Sequence, residues 1–215
     1  MEQDTDVIIA GGGPVGLMTA LELARFGVRA ILVNEGAETA LHPKANAINA
    51  RSMEHFRRHG IGPTLREVPL PGDHPTDVCY VTRLTGRELT RLRMPSAEEA
   101  VAEARAGTSW YDCAEPPHRC SQIWLEAILR ETATDRDGID VRFSHRLEAF
   151  RRQGERVIAT VRDLERDETY EVAASHLVGA DGGKSTVRRS LGVQYEGEGG
   201  VVRRMMGGAM MVILS

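Results

Sequence analysis

The sequence predicts an α/β fold in which a parallel sheet with packed helices is interrupted by a separate antiparallel sheet. Three observations carry this. Two continuous apolar runs, "DVIIA" (6–10) and "VRAILVNE" (28–35), flank an amphipathic stretch, as buried parallel strands flank a crossover helix. A third such run, "SHLVGADGG", comes late in the chain and also stops at glycines. Between them, "DVCYVTRLTGRELTRLRM" alternates around Thr85-Gly86, the pattern of a hairpin.

The elements follow in order. In "PVGLMTALELARFG", Leu17, Leu21 and Ala24 share one helical face and Gly27 stands where a C-terminal cap is needed. With the flanking strands this makes a right-handed, Rossmann-like β-α-β unit. In "LHPKANAINARSMEHFRRHG", Pro43 and small residues predict an extended loop, then a helix to about His59 stopped by Gly60. "AEEAVAEARAG" reads as a short helix or a mobile connection. "HRCSQIWLEAILRETA" is a helix with Ser121 as N-cap and Trp124, Leu125, Ile128 and Leu129 as its apolar face. "VRFSHRLEAF", "RVIATVRD" and "ETYEVAA" read as a small β-meander, followed by "SHLVGADGG" as a separate buried strand.

Composition narrows the class. The chain has 215 residues, 41% of them hydrophobic, enough for a core. Its net charge of −4 gives no global pull toward nucleic acid or an anionic membrane. The basic clusters "FRRHG" and "VRRSLG" sit near helix ends, where cations also complement the dipole. Cys79, Cys113 and Cys120 form no C-x-x-C pair and suit a reducing compartment. No signal peptide or apolar membrane span is read, so a cytoplasmic protein is expected. His55 and His59 have an i, i+4 metal-ligand spacing, but no third ligand follows the pattern, and no metal is expected.

The motif with the clearest chemistry is Gly11-x-Gly13-x-x-Gly16, between a strand and a helix. Gly11 allows a tight turn, Gly13 lets backbone approach a pyrophosphate, and Gly16 permits close helix–strand packing. Pro14 and Val15 open the helix, whose N-terminal amides and dipole favour phosphate. The end of the second strand should carry an acid for the ribose hydroxyls. Here it reads Asn34-Glu35, whose side chains leave a strand on opposite sides, so only one faces the ribose.

The four blocks "DVIIAGGGPVGLMTALELARFGVRAILVNEG", "HPKANAINARSMEHFRRHG", "HRCSQIWLEAIL" and "GADGGKSTVRRSLGV" together resemble the class A flavoprotein monooxygenases, the FAD-dependent aromatic hydroxylases with the para-hydroxybenzoate hydroxylase fold. The resemblance runs through nearly the whole chain and leans toward hydroxylases of phenolic and polyketide-type substrates. It implies an FAD-binding domain of GR2 type, built of βαβ plus β-meander, with part of an antiparallel substrate-domain sheet. The expected division is 1–70 and 109–190 for the FAD-binding domain, 71–108 for part of the substrate-domain sheet, and 191–215 for the start of a return into that sheet.

The resemblance also implies site roles. Asp181-Gly182 would approach FAD a second time, with Asp181 accepting bonds from sugar hydroxyls. Lys44, where relatives carry arginine, lies in the loop beside the flavin, and Arg51 lies on the flavin side or is a helix-surface charge. Arg119 and Gln122 would reach the FAD phosphate and ribityl chain, and the backbone at Leu147 the adenine. Asn34 stands where the family carries glutamate, and Glu35 where it carries arginine. No catalytic base is assigned. The implied reaction uses NADPH or NADH as a transient donor and a flavin 4a-hydroperoxide to hydroxylate an aromatic small molecule. The family's later Gly-Asp motif is absent from these residues, so a second polypeptide or self-association is expected to complete the fold. A non-catalytic FAD- or ligand-binding subunit and an FAD-dependent reductase are the alternatives.

Overall fold

The computed structural model describes residues 4–42, 45–68, 70–109 and 113–197. Along the chain run β1 (Thr5–Ala10), α1 (Pro14–Arg25), β2 (Ala30–Asn34), β3 (Ala47–Ile48), α2 (Ala50–Arg58), α3 (Gly62–Glu67), β4 (Val78–Val81), β5 (Glu88–Leu92), α4 (Ala97–Ala106), β6 (His118–Arg119), α5 (Gln122–Thr134), β7 (Ile139–Phe143), β8 (His145–Gln153), β9 (Arg156–Asp163), β10 (Glu168–Gly179) and α6 (Thr186–Ser190). They fall into two units. One is the chain up to Ala37 together with the chain from Gly138; the other is Glu38–Asp137.

The first unit is a six-stranded sheet in the order β7-β2-β1-β10-β9-β8. Strands β7, β2, β1 and the end of β10 pair in parallel, while β10, β9 and β8 pair antiparallel. Side chains alternate across β1 and β2, and both faces are buried, as the apolar runs require. Ile8, Ala10, Ile31 and Val33 pack with Leu147, Val161, Val172 and Val187 in one cluster. Leu17, Ala20 and Leu21 of α1 are fully buried, as are Ile9 and Leu32. Helix α1 ends in a turn through Phe26 and Gly27, whose φ of +73° is a conformation glycine adopts without a Cβ penalty.

Two expectations for this unit are corrected. The stretch "VRFSHRLEAF" is not one meander strand. It breaks at Ser144, whose φ of +59° reverses the chain, so β7 pairs with β2 and β8 pairs with β9. One residue thus joins the two outer strands of the sheet. The Ser144 N–H donates to the Gly36 carbonyl at 3.1 Å and its carbonyl accepts from Leu164 N–H at 2.8 Å, bonds that pin the reversal. Second, "ETYEVAA" and "SHLVG" are a single strand. Residues 168–174 of β10 pair with β9 and residues 174–179 pair with β1. Val7 holds His176 in register with β1, so the strand runs on where it leaves β9.

In the second unit β4 and β5 form the expected hairpin, closed by Gly86 N–H donating to the Arg83 carbonyl at 2.8 Å. "AEEAVAEARAG" takes the helical alternative as α4, fixed by a capping box in which Ser96 and Glu99 each bond the other's backbone. Ser121 is the N-cap of α5, though its side chain makes no capping bond. Leu125 and Leu129 are buried on α5, but Trp124 is 50% exposed, so the apolar face is narrower than predicted; Glu126 and Ala133 are buried beside them. The expected terminal strand "GGAMMVILS" lies outside the described residues.

Candidate functional site

Strands β1 and β10 are parallel neighbours, so the glycine loops that follow them are neighbours too. Ala180 N–H donates to the Ala10 carbonyl at 2.7 Å, and a Cβ on Gly11 would stand 2.3 Å from the Ala180 carbonyl oxygen. Gly11 also has φ +113°. Backbone therefore approaches backbone here, and no side chain fits. A Cβ on Gly16 would lie 1.9 Å from the Gly11 carbonyl oxygen, so the start of α1 rests directly on the loop.

Gly13 is different. A Cβ there would meet nothing within 4 Å. Gly13 is the N-cap of α1 and offers no side chain to cap it; Pro14 has no N–H, and Val15 is 68% exposed. The helix thus begins at an exposed Val15 with the positive end of its dipole toward open space, an arrangement that favours an anion. Gly182 (φ +74°) and Gly183 likewise have open space where a Cβ would be.

Asp181 caps α6. Its Oδ2 accepts from Thr186 N–H at 2.7 Å and Val187 N–H at 3.2 Å, and its Oδ1 from Ser185 Oγ at 2.5 Å. Burial opposes its ionisation, but these donated bonds outweigh it and hold the carboxyl below its usual range. Three bonds leave a carboxylate with acceptor capacity for a sugar hydroxyl.

The sequence did not flag Gly12, which the structure makes obligatory. Its N–H donates to Asn34 Oδ1 at 2.9 Å, and a Cβ would lie 2.8 Å from Asn34 Cβ and 2.9 Å from Phe143 Cζ. Asn34 Nδ2 donates to the Gly36 carbonyl at 3.1 Å. Glu35 falls beyond the end of β2; its Oε1 lies 3.4 Å from Arg146 Nη1, while Arg146 Nη2 lies 3.1 Å from Glu148 Oε1. The Leu147 side chain is buried in the core cluster, leaving only its backbone for a ligand.

In the second unit, β3 pairs with β6, placing Ala47 against Arg119. Gln122 N–H donates to the Ala45 carbonyl at 3.0 Å. The two segments "ANAIN" and "HRCSQ", far apart in sequence, are thereby laced together. Arg119 donates to Asn46 Oδ1 at 3.2 Å and to the Thr76 carbonyl at 3.4 Å. Gln122 Nε2 donates to the buried Glu126 carboxylate, which also accepts from Ala40 N–H at 2.7 Å. Arg51 is exposed on α2 and pairs with Glu54 at 2.9 Å. Lys44 lies outside the described residues. His55 Nδ1, half of the expected metal-like spacing, lies 3.3 Å from Arg58 Nη1.

Beside β3 and β6 is a cavity of ≈ 240 Å³ with a mainly apolar lining that includes Ala47, Ile48, Met94, Pro95 and His118. An apolar cavity of about 150 Å³ already admits a benzene ring. His118 is buried, and its Nε2 lies 2.9 Å from the Leu65 carbonyl oxygen. Among the described residues no helix is long and apolar enough to cross a membrane.

Known proteins share the sequence pattern and the fold. The sequence pattern of the FAD binding domain family matches residues 4–213. The chain is 33% identical over 192 residues to the FAD-dependent monooxygenase apdD of Emericella nidulans, covering 89% of this chain and 31% of that protein. It is 34% identical over 200 residues to the 2,4-dichlorophenol 6-monooxygenase of Delftia acidovorans, covering 92% of this chain and 33% of that one. The solved structure of the rebeccamycin biosynthetic enzyme RebC with reduced flavin matches with a TM-score of 0.78 at 37% identity, over 88% of this chain and 34% of that chain. This chain spans about a third of the length of the curated relatives it matches.

Proposed function

We propose that this chain, which belongs to the FAD binding domain family, is the cofactor-binding portion of an NAD(P)H-dependent aromatic hydroxylase. The observation that carries the reading is the pair of glycine loops at the adjacent ends of β1 and β10, with an uncapped helix N-terminus and open space at Gly13, Gly182 and Gly183. FAD, once bound and reduced by NADPH or NADH, supplies activated dioxygen for hydroxylation of an electron-rich ring. The chain's own part is to hold it. The Val15 and Gly16 amides would take the pyrophosphate, and Asp181 a sugar hydroxyl. The Leu147 backbone would meet the adenine. Lys44, Arg51, Arg119 and Gln122 stand as proposed flavin contacts on the family resemblance. The apolar cavity beside β6 fits a phenolic ring, which supports an aromatic substrate. Residues that continue the relatives beyond the matched third are proposed to complete the substrate site, in the same polypeptide or a second one.

The purified chain should show a flavin spectrum with near-stoichiometric FAD. Together with the remaining portion of its enzyme, it should oxidise NAD(P)H faster when a phenol is added and release a hydroxylated product. A chain that binds no FAD would overturn the reading. NAD(P)H oxidation with no oxygenated product would replace it with a reductase, and FAD binding with no turnover in any combination would replace it with a binding subunit.

A further inference from the structure

We propose that the apolar cavity beside β6 takes an aromatic acid, a phenolic ring that also carries a carboxylate, and that Arg119 is the residue that selects it. This rests on the aromatic-substrate reading above and adds the charge of the substrate. The cavity measures ≈ 240 Å³, more than the about 150 Å³ that admits benzene, so it has room for a substituted ring. Its wall is mainly apolar. Among the described residues the wall includes Arg119 and no aspartate or glutamate.

Two hydrogen bonds fix the Arg119 guanidinium at that wall. Its Nη2 donates to the carbonyl of Thr76, which itself lines the cavity, at 3.4 Å, and its Nη1 donates to Asn46 Oδ1 at 3.2 Å. Thr76 is held in turn, because its Oγ1 donates to the Pro95 carbonyl at 2.8 Å. Across the short β3–β6 ladder Arg119 stands opposite Ala47, and directly opposed residues share a face. The cross-strand neighbour of the arginine is thus only a methyl group. Resemblance alone carries the flavin contact proposed for Arg119, whereas these bonds set it on the cavity.

Both acceptors are neutral. Other arginines of the same unit find acids: Arg57 and Arg66 reach Glu115, and Arg91 reaches Asp77 and Glu88. Arg119 has no ion pair among the described residues; its partners are an amide oxygen and a backbone carbonyl. A guanidinium carries five N–H donors, so most of its hydrogen-bonding capacity and all of its charge stay available. A partly buried cation without a counterion has lost hydration that a bound anion makes good. A planar carboxylate meets the guanidinium fork with two parallel bonds, which a neutral hydroxyl cannot make. Apolar walls for a ring and one uncompensated guanidinium are the complement of an aromatic acid.

The test uses the full chain with benzoate and benzamide as probes, read by ligand-observed NMR titration. The two share ring and shape and differ in charge. Wild type should bind benzoate about tenfold more tightly, the size of one hydrogen bond to a charged group. Arg119→Gln should remove the preference while keeping the benzamide affinity and the melting temperature. Arg119→Lys, which keeps the charge without the fork, should retain part of it. Ala97→Leu, at a partly exposed position on the cavity wall, should weaken both probes alike. A preference that survives Arg119→Gln overturns the proposal, as does an Ala97→Leu variant that binds both probes like wild type, or a wild-type chain that binds no benzoate. An FAD titration of the same wild-type chain keeps the two readings apart. FAD bound without benzoate removes this assignment alone, and benzoate bound without FAD removes the proposed cofactor role while the cavity site stands.

Discussion

The first glycine loop contains four glycines that do four jobs, and only the distances separate them. Gly11 and Gly16 are forced by backbone contact, at 2.3 Å and 1.9 Å to carbonyl oxygens that cannot yield. Gly12 is forced by the Asn34 side chain. Among the described residues nothing crowds a Cβ at Gly13, so a phosphate contact there is the proposed reason for it. A paired substitution tests this. Gly16→Ala should destabilise the fold by about 1–3 kcal/mol, as overpacking does, and lose FAD with it. Gly13→Ala should leave the urea midpoint unchanged yet weaken FAD at least tenfold; equal affinities for Gly13→Ala and wild type would show that no phosphate approaches there. The packing roles of Gly11 and Gly16 were legible from their spacing. That of Gly12 was not, because its partner Asn34 is 22 residues away.

Among the elements, β6 and α3 are held by a histidine that must stay neutral. His118 Nε2 donates to the Leu65 carbonyl, and the buried Nδ1 has no hydrogen-bond partner among the described residues. A proton on Nδ1 would bury an N–H without an acceptor. Burial lowers the His118 pKa, the nearby Arg66 charge adds to this, and the Leu65 bond only partly offsets them. With the folded pKa below the unfolded one, the unfolded chain takes up the proton first. The stability due to neutral His118 is therefore complete above about pH 6.5, the unfolded value, and declines as pH falls below it. The melting temperature should drop as pH falls below about 6.5, and His118→Gln, which keeps a donor for Leu65, should flatten that drop. A variant with the wild-type slope would assign the pH dependence to other groups. Helices α1, α2 and α5 were readable in sequence because their apolar faces and stops are local, whereas α4 was left open between a helix and a connection and α3 was not read. The continuity of β10 was not readable, because the strand changes partner at Ala174 from β9 to β1, and neither partner is written in its local sequence.

At the scale of the whole molecule, the family and the paired loops make FAD a ligand of the folded state alone. Stability should then rise with free FAD by about 2.7 kcal/mol at one hundred times Kd, visible as a concentration-dependent melting temperature. FMN, which lacks the adenosine and pyrophosphate, should give a smaller shift; equal shifts would move the binding site away from the first glycine loop. What the sequence by itself determined here is local. A buried strand, a glycine-rich turn and a helix start are written within a few consecutive residues, since backbone dihedrals and helix ends depend on near neighbours. What the tertiary structure alone decided is adjacency. It set β10 between β1 and β9, turned the chain over at Ser144, and closed Asn34 onto Gly12 and Arg146 onto Glu35. Gly12 and Asn34 lie 22 residues apart, Glu35 and Arg146 lie 111 apart, and Thr5 and Ala174 lie 169 apart. Only packing of buried faces chooses among partners at such separations, because no local propensity distinguishes them.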